Sequence, residues 1–595
     1  MKNNSIFKRM NSFLTNKYFL FFLFIVSFSF VVCLIGGIGD SDPYWHTTLG
    51  KYILQHKSIP KTDIFSWFSK ERGFTQICHS WLGSIIIYLY TVVFKNTDIA
   101  LIIFKIVNIL LCSYIITVKF KEISEKEENG ESKQTSLFVV IPMVISAQLL
   151  IRCFINPRPL AIGNILFLIA FLILDKINSD NSSKKSKNDK KDRKDRKYVY
   201  LLGFISLLIA NIHGGALVML IGITGIYFIA QYFPDFIRYI KRCNNISKLE
   251  NKEKVFISKT ENTFKKIVKK VIEDIKHLPK MEKSYEKTGM AIILEILLGM
   301  INPYGPRVLF YAFFDEDSLA MSIISEWKPS DLFDTIIVIA LILSAFIIYY
   351  FGKNRSKVGK KSKIENSFII TFPHLLLLSI FFFMTARHSR MSQYLLIVIL
   401  LCIFDVYPIA NKYLLQIDSA QKLLTKDLKT KGLLACSLLM LFTFGITAVS
   451  YESTTSDAPF KNGVVEYLKE RNYKRLYTAY NDGGLLIYHG IDSFIDSRSD
   501  PFPSDELVKA SGFATLSTEY FTSSKDVKDY LNKYNFDAIL LYKTRDGAAI
   551  TYLDESKDWK KVYEDVDKSA DIEGKCKGKS KNNQSGFVVF EKVVE

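Results

Sequence analysis

Long apolar segments constrain the fold of this chain more than any other feature of its sequence. Twelve such segments precede residue 450, and the longer ones approach the roughly 20 residues that an α-helix needs to cross a bilayer. We therefore predict a mainly α fold, a polytopic helical membrane bundle over residues 18–451. Its candidate spans are 18–38, 80–95, 98–118, 136–153, 159–175, 198–212, 214–232, 289–302, 332–351, 367–385, 391–407 and 432–449.

The distribution of basic residues predicts the orientation of this bundle. The 595 residues carry a net charge of +19. Three stretches account for all of it: 176–197 (+6), 234–288 (+7) and 352–364 (+6). Because basic loops stay on the cytoplasmic side, we place these stretches and residues 1–17 there. The charge thus indicates topology and contact with membrane lipid, and no motif for nucleic-acid binding accompanies it.

The number of spans follows from this orientation. If all twelve segments crossed the membrane, the lysine-rich stretch 176–197 would lie outside. The segment 80–95 is short and preceded by polar residues, so we interpret it as interfacial or re-entrant. Eleven spans then place the C-terminal tail on the outer side, and twelve remain the alternative if another segment is split or lost.

A second domain begins near residue 452, where the apolar runs shorten to a strand-like length. We predict an extracytoplasmic α/β domain over residues 452–595, with a helix at SKDVKDYLNKYN. Its predicted strands are RLYTAY, DSFIDSR, FDAILLY, WKKVYED and GFVVFEK. The segment EGKCKGKSKNNQSG falls one residue short of a phosphate-binding loop, so no nucleotide cofactor is expected.

The first external loop, residues 39–79, contains the strongest candidates for chemistry. Asp40 and Asp42 follow the first span directly, and His46, Asp63 and His79 come later in the loop. A partly desolvated carboxylate at the mouth of a helix bundle suits a general base or a cation ligand. As an alternative, Asp42 caps the next helix, with Pro43 in its first turn, and Asp63 belongs to a structural turn.

Other polar residues fall at span ends on the same predicted face of the membrane. Guanidinium groups among them suit a phosphate, which accepts bidentate charge-assisted hydrogen bonds. A single histidine beside two glycines, such as His213, is more often a local hydrogen-bonding group than a ligand. The prediction of a phosphate site therefore rests on several polar clusters that fall on the same face. The residues are Arg158, Asn211, His213, Asn302, Tyr304, Glu326, Arg387 and Arg390.

These motifs give the chain a resemblance to the GT-C class of membrane glycosyltransferases. Within that class it resembles a bacterial group whose first loop reads D-x-D-x-W-W-H-L, then I-P-x-x-D-x-F-S, then W-L. The matching stretches here are DSDPYWH from Asp40, IPKTDIFS from Ile59, HSWL from His79 and FIDSRSD from Phe494 to Asp500. Tyr44, Thr47 and Ser497 depart from the pattern, which usually has Trp, Leu and Gly there.

The resemblance implies that a sugar is transferred from a polyprenyl-phosphate donor to a glycan, lipid or protein acceptor. Asp42 or Asp40 would be the catalytic base, and the donor phosphate would bind Arg158, His213, Arg387 and Arg390. His46, Asp63, His79, Asn211, Asn302, Tyr304, Glu326, Asp496, Arg498 and Asp500 would have substrate-binding or structural roles. No cofactor is certain; a divalent metal held by Asp40 and Asp42 is one option.

Two other functions compete with this prediction. A polysaccharide polymerase or ligase has a similar bundle with outer arginines, but usually lacks the acidic first loop and the C-terminal domain. A transporter or non-catalytic assembly protein generally shows internal repeats and charged residues within its spans. We find neither a repeat nor a mid-span charge pair in the sequence, which disfavours this last class.

Overall fold

The fold is that of a computed structural model, which describes ten segments of the chain. They are residues 17–34, 41–128, 137–182, 189–233, 285–314, 327–329, 370–414, 463–498, 501–565 and 586–593. The predicted spans 332–351 and 432–449 and the basic stretch 352–364 lie outside these segments, as does most of 234–288.

Apolar helices make up the first part of the described chain, as the long apolar segments predict. They are α1 (Lys17–Leu34), α2 (Asp42–His56), α3 (Trp67–Arg72), α4 (Trp81–Phe94), α5 (Thr97–Glu128), α6 (Leu137–Phe154), α7 (Pro159–Ser182), α8 (Asp189–Ile212), α9 (Gly214–Phe233), α10 (Glu286–Gly299), α11 (Arg307–Phe314), α12 (Phe372–Arg387) and α13 (Ser392–Leu414).

Four stretches of these helices are long and apolar enough to cross a membrane: Thr97–Glu125, Pro159–Ser179, Gly214–Phe233 and Ser389–Pro408. Helix α4 has only 14 residues, fewer than a perpendicular crossing needs, and its interpretation as an interfacial or re-entrant segment stays a prediction. The basic stretch 176–197 is helical where it is described, because α7 runs on to Ser182 and α8 begins at Asp189.

A small α/β domain follows these helices, which confirms the predicted change from long apolar segments to short helices and strands. Its helices are α14 (Val464–Arg471), α15 (Gly483–Tyr488), α16 (Ser504–Thr515), α17 (Ser524–Tyr534) and α18 (Gly547–Glu555). The strands β1 (Leu476–Tyr477), β2 (Ala538–Tyr542), β3 (Trp559–Glu564) and β4 (Phe587–Lys592) form one sheet in the order β1-β2-β4-β3. Strand β1 runs parallel to β2, and the other neighbours are antiparallel.

The predicted strand DSFIDSR is wrong. Over residues 492–498 the chain forms a loop, whose one strand-like contact is a parallel bridge between Ser493 and Ser66 of the first loop. The physical reason is the buried charge of Asp496 and Arg498. Asp496 accepts a hydrogen bond from the backbone N–H of Arg498 two residues later, which turns the chain away from an extended ladder.

The core of the C-terminal domain includes residues of the first loop. Trp67 and Phe68 pack with Phe494, Tyr534 and Phe536 in one buried aromatic cluster. The indole N–H of Trp67 donates to the carbonyl of Leu476 in β1 at 3.0 Å. The first loop and the C-terminal domain therefore form a single packed body.

Helices α2 and α4 approach each other closely because Gly50 has no side chain. A Cβ at Gly50 would lie 2.3 Å from the carbonyl oxygen of Ser84 and 2.8 Å from the Cβ of Tyr88. We expect Gly50→Ala to force these helices apart and lower the free energy of unfolding by about 1–3 kcal/mol. Thermal melting of the detergent-solubilised protein measures the loss.

Gly222→Ala in α9 is the matched control for this prediction. A Cβ at Gly222 meets no atom of the described residues within 4 Å, and alanine is the better helix former. We expect the melting temperature of this variant to stay level or rise. Equal melting temperatures for Gly50→Ala and Gly222→Ala would contradict the close approach of α2 and α4.

Candidate active site

Three segments that are distant in sequence meet at the carboxylate of Asp42. Arg158, in the turn before α7, places a guanidinium nitrogen 3.1 Å from Oδ2 of Asp42. Ser497, in the C-terminal domain, and the indole N–H of Trp45 both donate to Oδ1. The side chain of Asp42 is 13% exposed and that of Arg158 is 27% exposed. This ion pair is thus accessible to a bound molecule.

Asp42 also lies at a helix start, one residue after the capping position that the structural alternative assigned to it. Ser41 is the N-cap of α2, Asp42 is its first residue and Pro43 lies in its first turn. A negative charge there is favourable because the first backbone N–H groups of a helix are unpaired. The helix therefore fixes the backbone of Asp42, and its side chain remains engaged with Arg158 and Ser497.

Three histidines lie beside this ion pair. The rings of His79 and His213 are 5.0 Å apart, and the carbonyl of His79 accepts the N–H of Gly214 at 2.9 Å. His46 stacks on Trp45 with ring centroids 3.6 Å apart. These contacts bring together α2, the start of α4 and the turn between α8 and α9.

Burial is the main cause that lowers the pKa of two of these histidines well below the ordinary value. For His46, the positive charges of Arg158, His79 and Arg498 add to it. For His213, the neighbours His79, Arg390, His46 and Arg158 lower the pKa further. Both imidazoles are therefore neutral at pH 7. These neutral rings can exchange hydrogen bonds with a ligand without adding charge.

One ring nitrogen of this cluster stands out. Nδ1 of His213 is buried and has no hydrogen-bond partner among the described residues. The Nδ1 atom of His46, by contrast, lies 2.8 Å from the hydroxyl of Ser84. Buried polar atoms are normally paired, so an orphaned one marks a place where a ligand can complete the set.

A fully buried ionic cluster lies next to Ser497, the residue of the C-terminal domain that contacts Asp42. Arg498 bonds Asp63 at 2.7 and 3.3 Å and Asp496 at 2.6 and 2.7 Å, and these side chains are at most 1% exposed. Asp63 also accepts the backbone N–H groups of Phe65 and Ser66. We call Asp63, Asp496 and Arg498 the clasp; its burial favours a structural role for all three.

Two predicted residues on the bundle side hold turns together. The amide of Asn211 accepts the indole N–H of Trp81 and donates to the carbonyls of Leu207 and Ile301. Asn302 bonds the backbone of its own turn, including the N–H of Tyr304.

Tyr304 extends this contact to the first loop. Its hydroxyl accepts the N–H of Cys78 at 2.8 Å. Asn211, Asn302 and Tyr304 thus attach the first loop and α4 to the bundle, and the three side chains are engaged in fold contacts rather than gathered around Asp42.

The two predicted arginines after α12 have different surroundings. Arg387 ends that helix with an exposed side chain and forms no ion pair with any described residue. Arg390 lies over the ring of Trp327 at 5.4 Å, and its charge contributes to the lowered pKa of His213. The structure thus brings Arg390, and not Arg387, near the histidine cluster.

Asp40, Glu326 and Asp500 lie outside the described residues, so a metal held jointly by Asp40 and Asp42 stays a prediction. Within the described segments, Asp42 has hydrogen-bond donors and a guanidinium around its carboxylate, and these are not metal ligands. The described residues around Asp42 do not form a metal site.

Two features of the structure escaped sequence reasoning. Ser497 contacts Asp42 at a position where the family pattern has Gly, and only the departure itself pointed to it. The other is an ion pair at the ends of the predicted spans 98–118 and 159–175. Lys119 of α5 and Asp175 of α7, both within helices apolar enough to span, form an ion pair at 2.8 Å.

Comparisons with known proteins give weak likenesses. No protein-family model matches the chain, and no curated protein sequence does. The crystal structure of the Archaeoglobus fulgidus oligosaccharyltransferase in the apo form aligns over 89% of this chain and 70% of its own, with 11% identity and a TM-score of 0.49. The same enzyme, tethered by a disulfide to an acceptor peptide containing the NVT sequon, aligns over 89% and 69%, with 11% identity and a TM-score of 0.47. Likenesses of this degree carry no weight for a reaction, so the function has to be inferred from the chain's own residues.

Proposed function

We propose that this chain is a membrane glycosyltransferase of the GT-C type. It transfers a sugar from a polyprenyl-phosphate donor to an acceptor hydroxyl or amide at the outer membrane face, with inversion at the anomeric carbon. The observation that carries the proposal is the partly exposed pair of Asp42 and Arg158 beside three histidines. A base and a phosphate-binding cation side by side are the two groups that such a transfer needs.

The reaction moves one proton and breaks one bond. Asp42 takes the proton of the acceptor as the acceptor atom attacks the anomeric carbon. The bond between that carbon and the phosphate oxygen breaks, and the lipid phosphate leaves with its negative charge. Arg158 and Arg390 stabilise this charge, and the neutral ring of His213 offers its open nitrogen as a hydrogen-bonding group.

The pairing of Arg158 with Asp42 suggests how the donor prepares the base. In the free protein the guanidinium compensates the carboxylate at 3.1 Å. A donor phosphate competes for the same guanidinium, because Arg forms its best hydrogen bonds with phosphate in a bidentate geometry. Binding of the donor therefore draws Arg158 from Asp42 and leaves the carboxylate able to accept a proton.

The orientation in the membrane belongs to the same proposal. The basic stretches 176–197, 234–288 and 352–364 face the cytoplasm, and eleven spans bring the ends of the helices that carry Arg158, His213 and Arg390 to the outer side. The C-terminal domain, which packs on the first loop, then lies outside the cytoplasm.

Donor binding tests the assignment of Arg158. With undecaprenyl-phosphate-linked hexoses, supplied one sugar at a time to the detergent-solubilised protein, we expect Arg158→Gln to weaken binding about 10- to 100-fold. The loss corresponds to one charge-assisted hydrogen-bonding group. Equilibrium binding of the radiolabelled donor is the measurement.

The matched control is Arg152→Gln, which removes an exposed cation in the last turn of α6. We expect this control to bind the donor like the wild type. Equal affinity in Arg158→Gln would refute its role at the phosphate. If the wild type binds none of these donors, the result favours the alternative of a non-catalytic transport or assembly protein. Donor binding followed by elongation of a glycan chain favours a polymerase or ligase.

A further inference from the structure

A second cluster of ionisable side chains lies inside the bundle, far from Asp42. It consists of Lys119 on α5, Asp175 on α7, His374 on α12 and Asp405 on α13. Asp175 follows Arg158 by 17 positions along α7, a distance of about 25 Å at 1.5 Å per helical residue. The cluster therefore lies towards the opposite ends of the helices that carry the candidate active site.

His374 is the centre of this cluster, and its side chain is 1% exposed. Its Nδ1 lies 2.6 Å from Oδ2 of Asp405, an oxygen that also accepts the backbone N–H of Thr371. Its Nε2 lies 3.0 Å from the hydroxyl of Tyr227 and 3.7 Å from Oδ1 of Asp175. Asp405 thus fixes the ring so that the second nitrogen bonds the Tyr227 hydroxyl and lies close to Asp175, and a cation at this nitrogen would displace Tyr227.

This arrangement has the form of a metal-binding histidine. In such sites a carboxylate holds one ring nitrogen and the other ring nitrogen binds the ion. One ligand atom from each of Asp175, His374 and Asp405 lies within 4.8 Å of the other two. Among the described residues this is the one group of three or more His, Cys, Asp and Glu side chains with that spacing.

The energetic cost of the cluster also favours a ligand. Charged groups inside membrane helices are expensive and are commonly retained for a function. Here two carboxylates are partly buried at 15 and 16% exposure, and the Nζ of Lys119 lies 2.8 Å from one of them, Asp175. A divalent cation would compensate both carboxylates, which Lys119 alone cannot.

We propose that Asp175, His374 and Asp405 form a binding site for a divalent cation of the zinc class. His374 and Asp175 contact the ion, and Asp405 orients the imidazole. Imidazole with carboxylates favours zinc or manganese over magnesium and calcium, which prefer an all-oxygen set. Lys119 holds Asp175 in the metal-free protein and is displaced when the ion binds. The ion would tie α7, α12 and α13 together at the ends remote from Asp42.

Zinc binding to the full-length protein in detergent tests the site, with calorimetry for affinity and elemental analysis after gel filtration for stoichiometry. We expect one Zn²⁺ per wild-type chain, not displaced by excess Mg²⁺. Asp405→Asn should weaken binding about 10- to 100-fold, because it removes the group that orients the ligand. His374→Gln, which removes the ligand itself, should abolish binding.

Lys119→Gln keeps the test independent of folding defects, because its expected effect is a gain. Without the competing ammonium, Zn²⁺ should bind about tenfold more tightly. Glu295→Gln is the control: Glu295 is another buried carboxyl of the bundle, bonded to Thr224, and its replacement should leave zinc affinity unchanged. The proposal is overturned if the wild type binds no more zinc than His374→Gln, or if Lys119→Gln brings no gain.

Discussion

Asp42→Asn should lower the rate of sugar transfer by about 10²- to 10⁴-fold, the usual contribution of a general base. The amide keeps an oxygen for the hydrogen bonds from Ser497 and Trp45, so the local structure is retained while the proton acceptor is lost. Donor affinity should stay the same or rise, because Arg158 no longer has a carboxylate to pair with. Single-turnover transfer of a labelled sugar, with donor binding measured separately, distinguishes the two effects.

Asp492→Asn is the matched control for Asp42→Asn. Asp492 lies five residues before Ser497, and its exposed carboxylate forms a surface ion pair with Lys70. We expect this variant to transfer sugar at the wild-type rate. Undiminished transfer by Asp42→Asn would rule out Asp42 as the base, whereas parallel loss in both variants would indicate a general effect of charge near the site.

Arg498→Met should destabilise the protein by about 3–5 kcal/mol, the cost of leaving buried charges without their partner. The variant leaves Asp63 and Asp496 buried without the guanidinium that bonds both. The first loop and the C-terminal domain should separate, so limited proteolysis should cut between them. Thermal melting, followed by the fluorescence of Trp67 in the shared core, measures the loss.

The pH dependence identifies the cause of this loss. Burial alone would raise the pKa of Asp63, but the charge and hydrogen bonds of Arg498 outweigh it and lower that pKa. In the wild type, the stabilisation from Asp63 is complete above its ordinary pKa near 3.8 and is lost only as the pH falls through the lower folded value. In Arg498→Met the charge and hydrogen bonds that chiefly oppose burial are lost, so the pKa of Asp63 rises. The deficit of the variant should therefore be largest at pH 7 and shrink towards pH 4.

Lys70→Met provides the comparison for an exposed pair. Lys70 also bridges the first loop and the C-terminal domain, through Asp492 at 2.7 Å, but both side chains are more than a third exposed. Such pairs contribute about 0–1 kcal/mol to the free energy of unfolding.

A triple variant with Asp63→Asn, Asp496→Asn and Arg498→Met should recover part of the stability that Arg498→Met loses. A loss no larger than that of Lys70→Met, or a deficit that does not change with pH, would show that the clasp is not a stabilising element.

Hydrophobic pattern predicted most of the fold, because burial in a bundle or a sheet selects apolar residues at regular spacing. It placed α5, α7 and α13 and the strands β2, β3 and β4. It failed at DSFIDSR, where the apolar pair Phe494 and Ile495 resembles a strand. There the adjacent charged side chains decide the backbone, and their partner Asp63 lies more than 400 positions away.

The candidate site was predictable in part. Asp42, Arg158, His46, His79 and His213 come together, as span ends on one face suggest. The structural engagement of Asn211, Asn302 and Tyr304 could not be read from the sequence, because a polar residue at a helix end looks the same whether it bonds a turn or a ligand. Neither could the pair of Lys119 and Asp175, because each charge sits singly near the end of its own apolar segment.

The packing of Trp67 and Phe68 into the C-terminal core has a consequence for biosynthesis. These two residues leave the ribosome some 400 positions before Phe494, and β4 comes almost at the end of the chain. The aromatic core can close only after β4 has been synthesised, since contacts of such long range form late. A nascent or truncated chain would then present Asp42 without the hydroxyl of Ser497 beside it. The order of synthesis thus delays assembly of the candidate site until the C-terminal domain has been made.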